Sequence, residues 1–387
     1  MSKPVGEDTL RSPRIKELEG LRGCLAWWVV LFHCYLEAGL RFDQLTKFEF
    51  WAAYGWVAVD LFIILSGYVI TLLIETQRES YGVYITRRFF RIAPLYYLLC
   101  AYGAVEAYRW GTYGDLLIYH ILLHLTMLHG LVPEELLRGS TNALNHPAWS
   151  ISVEWQFYLL APAILLLVRR SATRAFLLVA GCYLASKAIG RLYTFPFAAT
   201  VVMRAGQFAI GIASYHLTRL VDQNARLARP LVPYLLPIGI AIMWIDGGAP
   251  LGGWTVWVVV FSSVLARIAG AETALTGPVR RFLGLPVVVW LGKLSYSTYL
   301  CHHLGFRTVK WALGPSFEAM TPRMRLGSLI CGGFPVILAL SFALYHLIER
   351  PGMWAGKVIA KKMGRKPVRT PPEVLADEAP ALARGDA

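Results

Sequence analysis

Charge is scarce in this chain: Asp, Glu, Lys and Arg make up 16% of its 387 residues, where a soluble domain carries about 25%. Acidic residues are the scarcer sign, 24 against 38 Lys and Arg. With 56% of residues hydrophobic and a mean hydropathy of +0.49, an ordinary cytosolic globule and a disordered chain are both excluded. Paired cysteines are also missing. The six cysteines, at 24, 34, 100, 182, 301 and 331, sit singly in apolar segments without CxxC or His-Cys spacing, so free buried thiols are expected and no metal site. The serines of LSGY and WSIS lack a G-x-S-x-G elbow, which argues against a serine nucleophile. There is no fixed-period repeat and no matched pair of broken helices, which weighs against a secondary transporter. The polar N-terminal stretch contains Pro13 and no small-residue cleavage site, so no removable signal peptide is expected.

What the chain does have is apolar runs of about 20 residues, each long enough to cross a ~30 Å hydrocarbon core. Eleven stand out, near 24–40, 52–74, 92–108, 115–131, 148–168, 175–190, 198–217, 231–245, 254–268, 286–306 and 327–347. The run at 115–131 carries Asp115, His120, His124 and His129, which suits an interfacial or re-entrant helix. Cytosolic placement of Arg11, Arg14, Lys16 and Arg22 returns Arg78, Arg87, Arg88 and Arg91 to the cytosol after two crossings. If 115–131 does not cross, Arg169, Arg170, Arg174 and the later basic clusters also fall inside. The expectation is therefore an all-α bundle of ten spans plus one interfacial or re-entrant helix, with both termini cytosolic. One membrane domain, 18–350, follows a cytosolic segment 1–17 and precedes a tail, 351–387, that is basic and then disordered. The net charge of +14 is a topology signal here, and nucleic acid is not an expected partner.

Ionisable groups at membrane depth are costly and mark function. His33 follows Arg22 by eleven residues, so the two share a helix face ~16 Å apart along the axis. Counted at 1.5 Å per residue, Glu154 lies ~9 Å and Asp60 ~12 Å below the outer surface. That arithmetic brings His33, Asp60 and Glu154 to similar depths, with His302 a fourth candidate. A histidine beside a carboxylate can take a proton from a hydroxyl, which acyl transfer to an alcohol requires. Arg87, Arg88 and Arg91 form a basic cluster suited either to topology or to phosphate. Lys293 is a further candidate cation. His120 and His124 lack a Glu and a third ligand, so an interfacial helix is preferred to a metal site.

Six segments in order resemble the acyltransferase-3 family of integral membrane O-acyltransferases. They are ELEGLRGCLAWWVVLFH (17–33), VDLFIILSGYVI (59–70), RRFFRIAPLYYL (87–98), HPAWSISVEWQFYLLAP (146–162), LGKLSYSTYLCHH (291–303) and LIERP (347–351). The resemblance implies transfer of an acyl group, usually acetyl, from cytosolic acyl-CoA to a hydroxyl of an extracytoplasmic acceptor, commonly a glycan. It implies a bacterial inner-membrane location and no permanently bound cofactor. Residue by residue, His33 matches the family's essential histidine, Arg22 its paired arginine, Glu154 the acid of Trp-Ser-x-Ser-x-Glu, Asp60 the acid before Leu-Phe, and Arg87, Arg88 and Arg91 its basic motif. Two positions depart from the pattern: Glu19 stands where Asp is frequent, and Trp155 replaces a second acid. The rival expectations are acylation of a lipid or small secreted metabolite and, from another class, a proton-coupled transporter.

Overall fold

The computed structural model describes residues 16–169, 171–245 and 254–364. Arg11, Arg14, Arg170, Lys366 and the expected disordered end of the tail lie outside them. Among the described residues there are helices and no strands. The helices are α1 (Lys16–Glu37), α2 (Lys47–Ala52), α3 (Val57–Gln77), α4 (Tyr81–Arg109), α5 (Leu117–Thr126), α6 (Ala148–Val168), α7 (Ala172–Leu192), α8 (Ala205–Gln223), α9 (Ala225–Ala228), α10 (Leu235–Ile245), α11 (Trp254–Ile268), α12 (Thr276–Leu283), α13 (Pro286–Leu313), α14 (Pro315–Ala319), α15 (Pro322–Ser328), α16 (Phe334–Leu344) and α17 (Arg350–Gly364). Each of the eleven apolar runs falls on a helix.

Among the described residues, four stretches are long and apolar enough to cross a membrane: α3, α6, α7 and the run Pro322–Gly364. In that last run, π-helical turns at Leu329–Gly333 and Tyr345–Glu349 join α15, α16 and α17. α7 buries none of its residues and exposes Phe176, Leu177, Tyr183 and Leu184, as a helix facing hydrocarbon does. α5 has 10 residues, roughly 15 Å of helix, half of what a crossing needs. It exposes Ile118, Tyr119, Leu122 and Leu125 and turns His120 and His124 inward, against Tyr113 and His129. All six cysteines are free; Cys34, Cys100 and Cys301 are buried as expected, whereas Cys331 is exposed.

The basic stretch after residue 350 is helical, unlike the unstructured tail its composition suggests. It continues the preceding π turn and lies along α4, where Gly352 and Gly356 let the backbones meet against Pro94 and Phe90. Packing of that face supplies the stabilisation that an isolated 15-residue helix lacks.

α1 packs more extensively on α13 than any other pair of elements does. The seam is glycine-lined: a Cβ on Gly23 would overlap the backbone of Gly292 and one on Gly292 the carbonyl of Glu19, while Gly20 meets the Leu283 carbonyl at the end of α12, just before α13. Small residues are what allow backbones to approach so closely within a membrane, where no hydrophobic force drives helices together. Gly292→Leu should therefore cost at least about 1–3 kcal/mol by overpacking. Thermal unfolding in detergent reads this as a lowered midpoint, and an unchanged midpoint would mean that the seam is looser than it is here.

Candidate active site

The seam sets His33, near the end of α1, beside the last turns of α13. The His33 ring lies 4.7 Å from that of His302 and 4.8 Å from that of His303, centre to centre. His146, from the loop before α6, completes the group at 6.0 Å from His33 and 4.9 Å from His303. His33 Nδ1 is 2.9 Å from the Val29 carbonyl oxygen, and His302 Nδ1 is 2.6 Å from that of Tyr299. A carbonyl only accepts, so both Nδ1 atoms carry the hydrogen and both Nε2 atoms keep a lone pair. His303 Nδ1 faces Glu37 Oε1 at 3.4 Å, and Lys310 pairs with the other Glu37 oxygen. The Nε2 atoms of His302 and His303 are buried without a partner. Desolvation in the cleft, with His303 the second cause, holds His146 down to about 4, so it is neutral at physiological pH.

His33, His146 and His303, with Glu37, line a cleft of about 520 Å³ that also presents Tyr102, Asn142, Asn145 and Arg307. Nε2 lone pairs that find no donor among themselves require hydrogens from outside, which a hydroxyl-bearing ligand or water supplies. The ring nitrogens of His33, His146 and His303 also lie within 4.8 Å of one another, close enough to hold a metal ion.

The expected convergence of His33, Asp60 and Glu154 takes a different form. Asp60 pairs with Arg204, the N-cap residue of α8, at 2.5 Å and accepts from Gln207 Nε2 at 3.4 Å. Glu154 accepts from Tyr158 and, at 3.4 Å, from Ser66 Oγ. Together with Arg22, Ser150, Ser295 and Tyr299 it lines an interior cavity of about 50 Å³. Arg22 reaches Ser295 Oγ at 3.5 Å. The carboxylate that faces the imidazoles is Glu37, one turn after His33. The 1.5 Å rise gives depth along each helix but not rotation about it, and rotation turns Asp60 and Glu154 to other partners.

The arginines also separate. Arg91 is committed to a buried ion pair with Glu349 at 2.9 Å, and Ser297 donates to the other Glu349 oxygen at 2.7 Å. Arg87 pairs with Glu79. Arg88 has an unpartnered Nε and lines a cleft of about 80 Å³ with Arg87, Tyr84 and Pro162. Lys293 is exposed on α13. Sequence reasoning passed over His146, His303 and Glu37. Signals for all three existed: His146 opens the HPAWS segment, His303 adjoins His302, and Glu37 is at i+4 from His33.

Comparison with known proteins adds the following. A family model described as an acyltransferase domain matches residues 15–346. The chain is 26% identical to the acyltransferase MdmB of Streptomyces mycarofaciens, over 96% of this chain and 99% of the relative. It is 26% identical to the putative membrane-bound transacylase BcsY of Komagataeibacter xylinus, over 88% and 83%. It is also 26% identical to the peptidoglycan O-acetyltransferase OatA of Listeria monocytogenes, over 39% of this chain and 24% of the relative. No solved structure matches.

Two outcomes are expected from this geometry. Glu37→Gln, which keeps shape and removes charge, should cut turnover about 10–100-fold, the usual cost of losing the partner that orients a functional imidazole. Steady-state kinetics decide it, and a variant with wild-type turnover would leave Glu37 a packing residue. Removal of divalent metal by EDTA should leave turnover unchanged if the imidazoles act as proton carriers. A loss restored by zinc would instead assign His33, His146 and His303 as ligands.

Proposed function

We propose a function from one premise: the chain belongs to the acyltransferase-3 family. It is an integral membrane acyltransferase that transfers groups other than aminoacyl groups. The reading put forward is O-acyl transfer, most simply of acetyl, from cytosolic acyl-CoA to a hydroxyl of an acceptor that approaches from the extracytoplasmic side. A cell-surface or secreted glycan is the acceptor class this reading favours. The peptidoglycan O-acetyltransferase among the relatives supports it, as do the amides, phenol and guanidinium that line the histidine cleft.

The observation that carries the reading is the state of His33. Its Nδ1–H is held on the Val29 carbonyl, so Nε2 is a fixed acceptor in a cleft with room for a ligand. In the proposed step, Nε2 takes the acceptor's hydroxyl proton while the oxygen attacks the thioester carbonyl. The C–O bond forms, the C–S bond breaks, and the imidazolium returns its proton to the departing thiolate. Glu37, through His303, supplies nearby negative charge that favours the transient imidazolium. Glu154 and Arg22 occupy the interior cavity, where they can steady the donor's polar arm. A ten-span topology with cytosolic termini belongs to the same proposal, because it gives donor and acceptor separate entrances.

The test is transfer of label from radiolabelled acetyl-CoA to an extracytoplasmic hydroxyl by protein in sealed vesicles. His33→Ala should lower transfer by at least 10²–10⁴-fold, the usual contribution of a general base, while the protein still inserts and melts cooperatively. Activity within a few fold of wild type would remove His33 from the reaction.

A further inference from the structure

At the end of the bundle away from the histidine cleft, the turn between α3 and α4 and the side of α17 enclose an open groove of about 780 Å³. Four cations line it, Arg78, Arg87, Lys357 and Lys361, against one acid, Glu79. Arg87 is paired with Glu79, but among the described residues Arg78, Lys357 and Lys361 have no ion-pair partner. Arg78 also caps α3 in the left-handed region, φ 45° and ψ 40°. Glycine or asparagine usually holds such a position, and a long cationic side chain there carries a backbone cost of roughly 1–2 kcal/mol. Strain of that kind marks a position with work to do. The packing of Gly352 and Gly356 on α4 brings Lys357 and Lys361 to the groove.

We propose that α17 completes a phosphate-binding groove, in which Arg78, Lys357 and Lys361 hold the nucleotide phosphates of the acyl-CoA donor. This rests on the acyl-CoA reading above and replaces Arg91, which Glu349 occupies, with cations from the turn and the C-terminal helix. The phosphates of a lipid headgroup share the same chemistry, yet the shape of the site favours the nucleotide. The groove shares Gln77, Glu79 and Arg87 with the cleft of Arg88 and Tyr84. That cleft is also lined by Pro162 of α6, one turn from Tyr158, the partner of Glu154 in the interior cavity. A ligand with a charged head and a long polar arm fits a groove that leads inward, whereas a headgroup site opens onto lipid. Lys357 and Lys361 lie beyond residues 15–346, which the family model matches.

The experiment is titration calorimetry of free CoA into the full-length protein in detergent, at two salt concentrations, with the Lys357→Gln/Lys361→Gln double variant and with Arg78→Gln. Exposed Lys→Gln changes are tolerated by folded helices, and thermal melts confirm that each variant is intact. Wild type should bind free CoA more weakly as salt rises. The double variant should bind it at least about tenfold more weakly and with a flatter salt dependence, since two charge-assisted contacts are lost. Arg174→Gln, outside the groove, serves as the control for general loss of positive charge. Binding of free CoA that is equal in wild type and double variant overturns the groove. A parallel titration with phosphatidylglycerol and phosphatidylcholine vesicles separates the lipid source, and a loss confined to phosphatidylglycerol also overturns the proposal. Wild-type protein that binds no CoA at all overturns instead the donor reading on which the groove rests.

Discussion

The close approach of α1 and α13 along their glycines is the constraint on which the histidine end of the bundle depends. Backbones pressed together at Gly23 and Gly292 leave no freedom for either helix to slide or roll. Their later turns are therefore held in fixed register, and His33, His302 and His303 come within ring contact. The hydrogen bonds from Nδ1 to the helices' own carbonyls then lock each ring's tautomer. Reactive geometry at one end of the molecule is thus a consequence of side-chain absence near the other.

The second organising force is the cost of an unpaired charge away from water. Arg91 with Glu349, Asp60 with Arg204, and Glu17 with Arg267 answer it by pairing. Such pairs break about even against hydrophobic packing, but removing one partner is expensive, so they specify which helices meet. Groups that do not pair lie instead at cavities. Arg22 and Glu154 share the interior cavity, Arg88 its own small cleft, and His33 and His146 the histidine cleft. Chemistry is to be sought among these, and the paired set is better read as scaffold. One buried group fits neither class: His120 has both ring nitrogens unpartnered, and the structure offers no physical account of it.

Hydrophobic runs located the helices well, because a ~30 Å slab demands continuous apolar length whatever the tertiary packing. The helical 350–364 stretch was missed for the opposite reason: its stability comes from docking on α4, which composition does not encode. At the candidate site, the shared face of His33 and Arg22 was legible from spacing within one helix. The partners were not. Asp60 and Arg204 are 144 residues apart, and Arg91 and Glu349 are 258 apart. No local period carries such pairings, and depth along a helix says nothing of its rotation. Glu37 was legible in principle, since i+4 neighbours meet on one face, but attention to the carboxylates of conspicuous motifs drew the reading toward Asp60 and Glu154.

The two ends of α4 set a distance that any one-step transfer must bridge. Arg87 lines the basic groove and Tyr102 the histidine cleft, about fifteen residues apart, or roughly 22 Å of helix. A donor whose phosphates rest in the groove beside Arg87 would therefore reach His33 only if its acyl end were carried through the middle of the bundle. The interior cavity is lined by Arg22 of α1, Ser66 of α3, Glu154 of α6 and Tyr299 of α13, and Tyr299 ties it to the cleft through the carbonyl that holds His302. At about 50 Å³ it is too small for a passing thioester arm in its present shape. Transfer then requires the cavity to open, and the side chains that close it include Phe62 and Tyr299, whose rings meet at 5.9 Å. In the proposed mechanism Glu154 would stand on the donor's path and not beside the base, so a substitution there should be felt through the donor before it is felt through proton transfer.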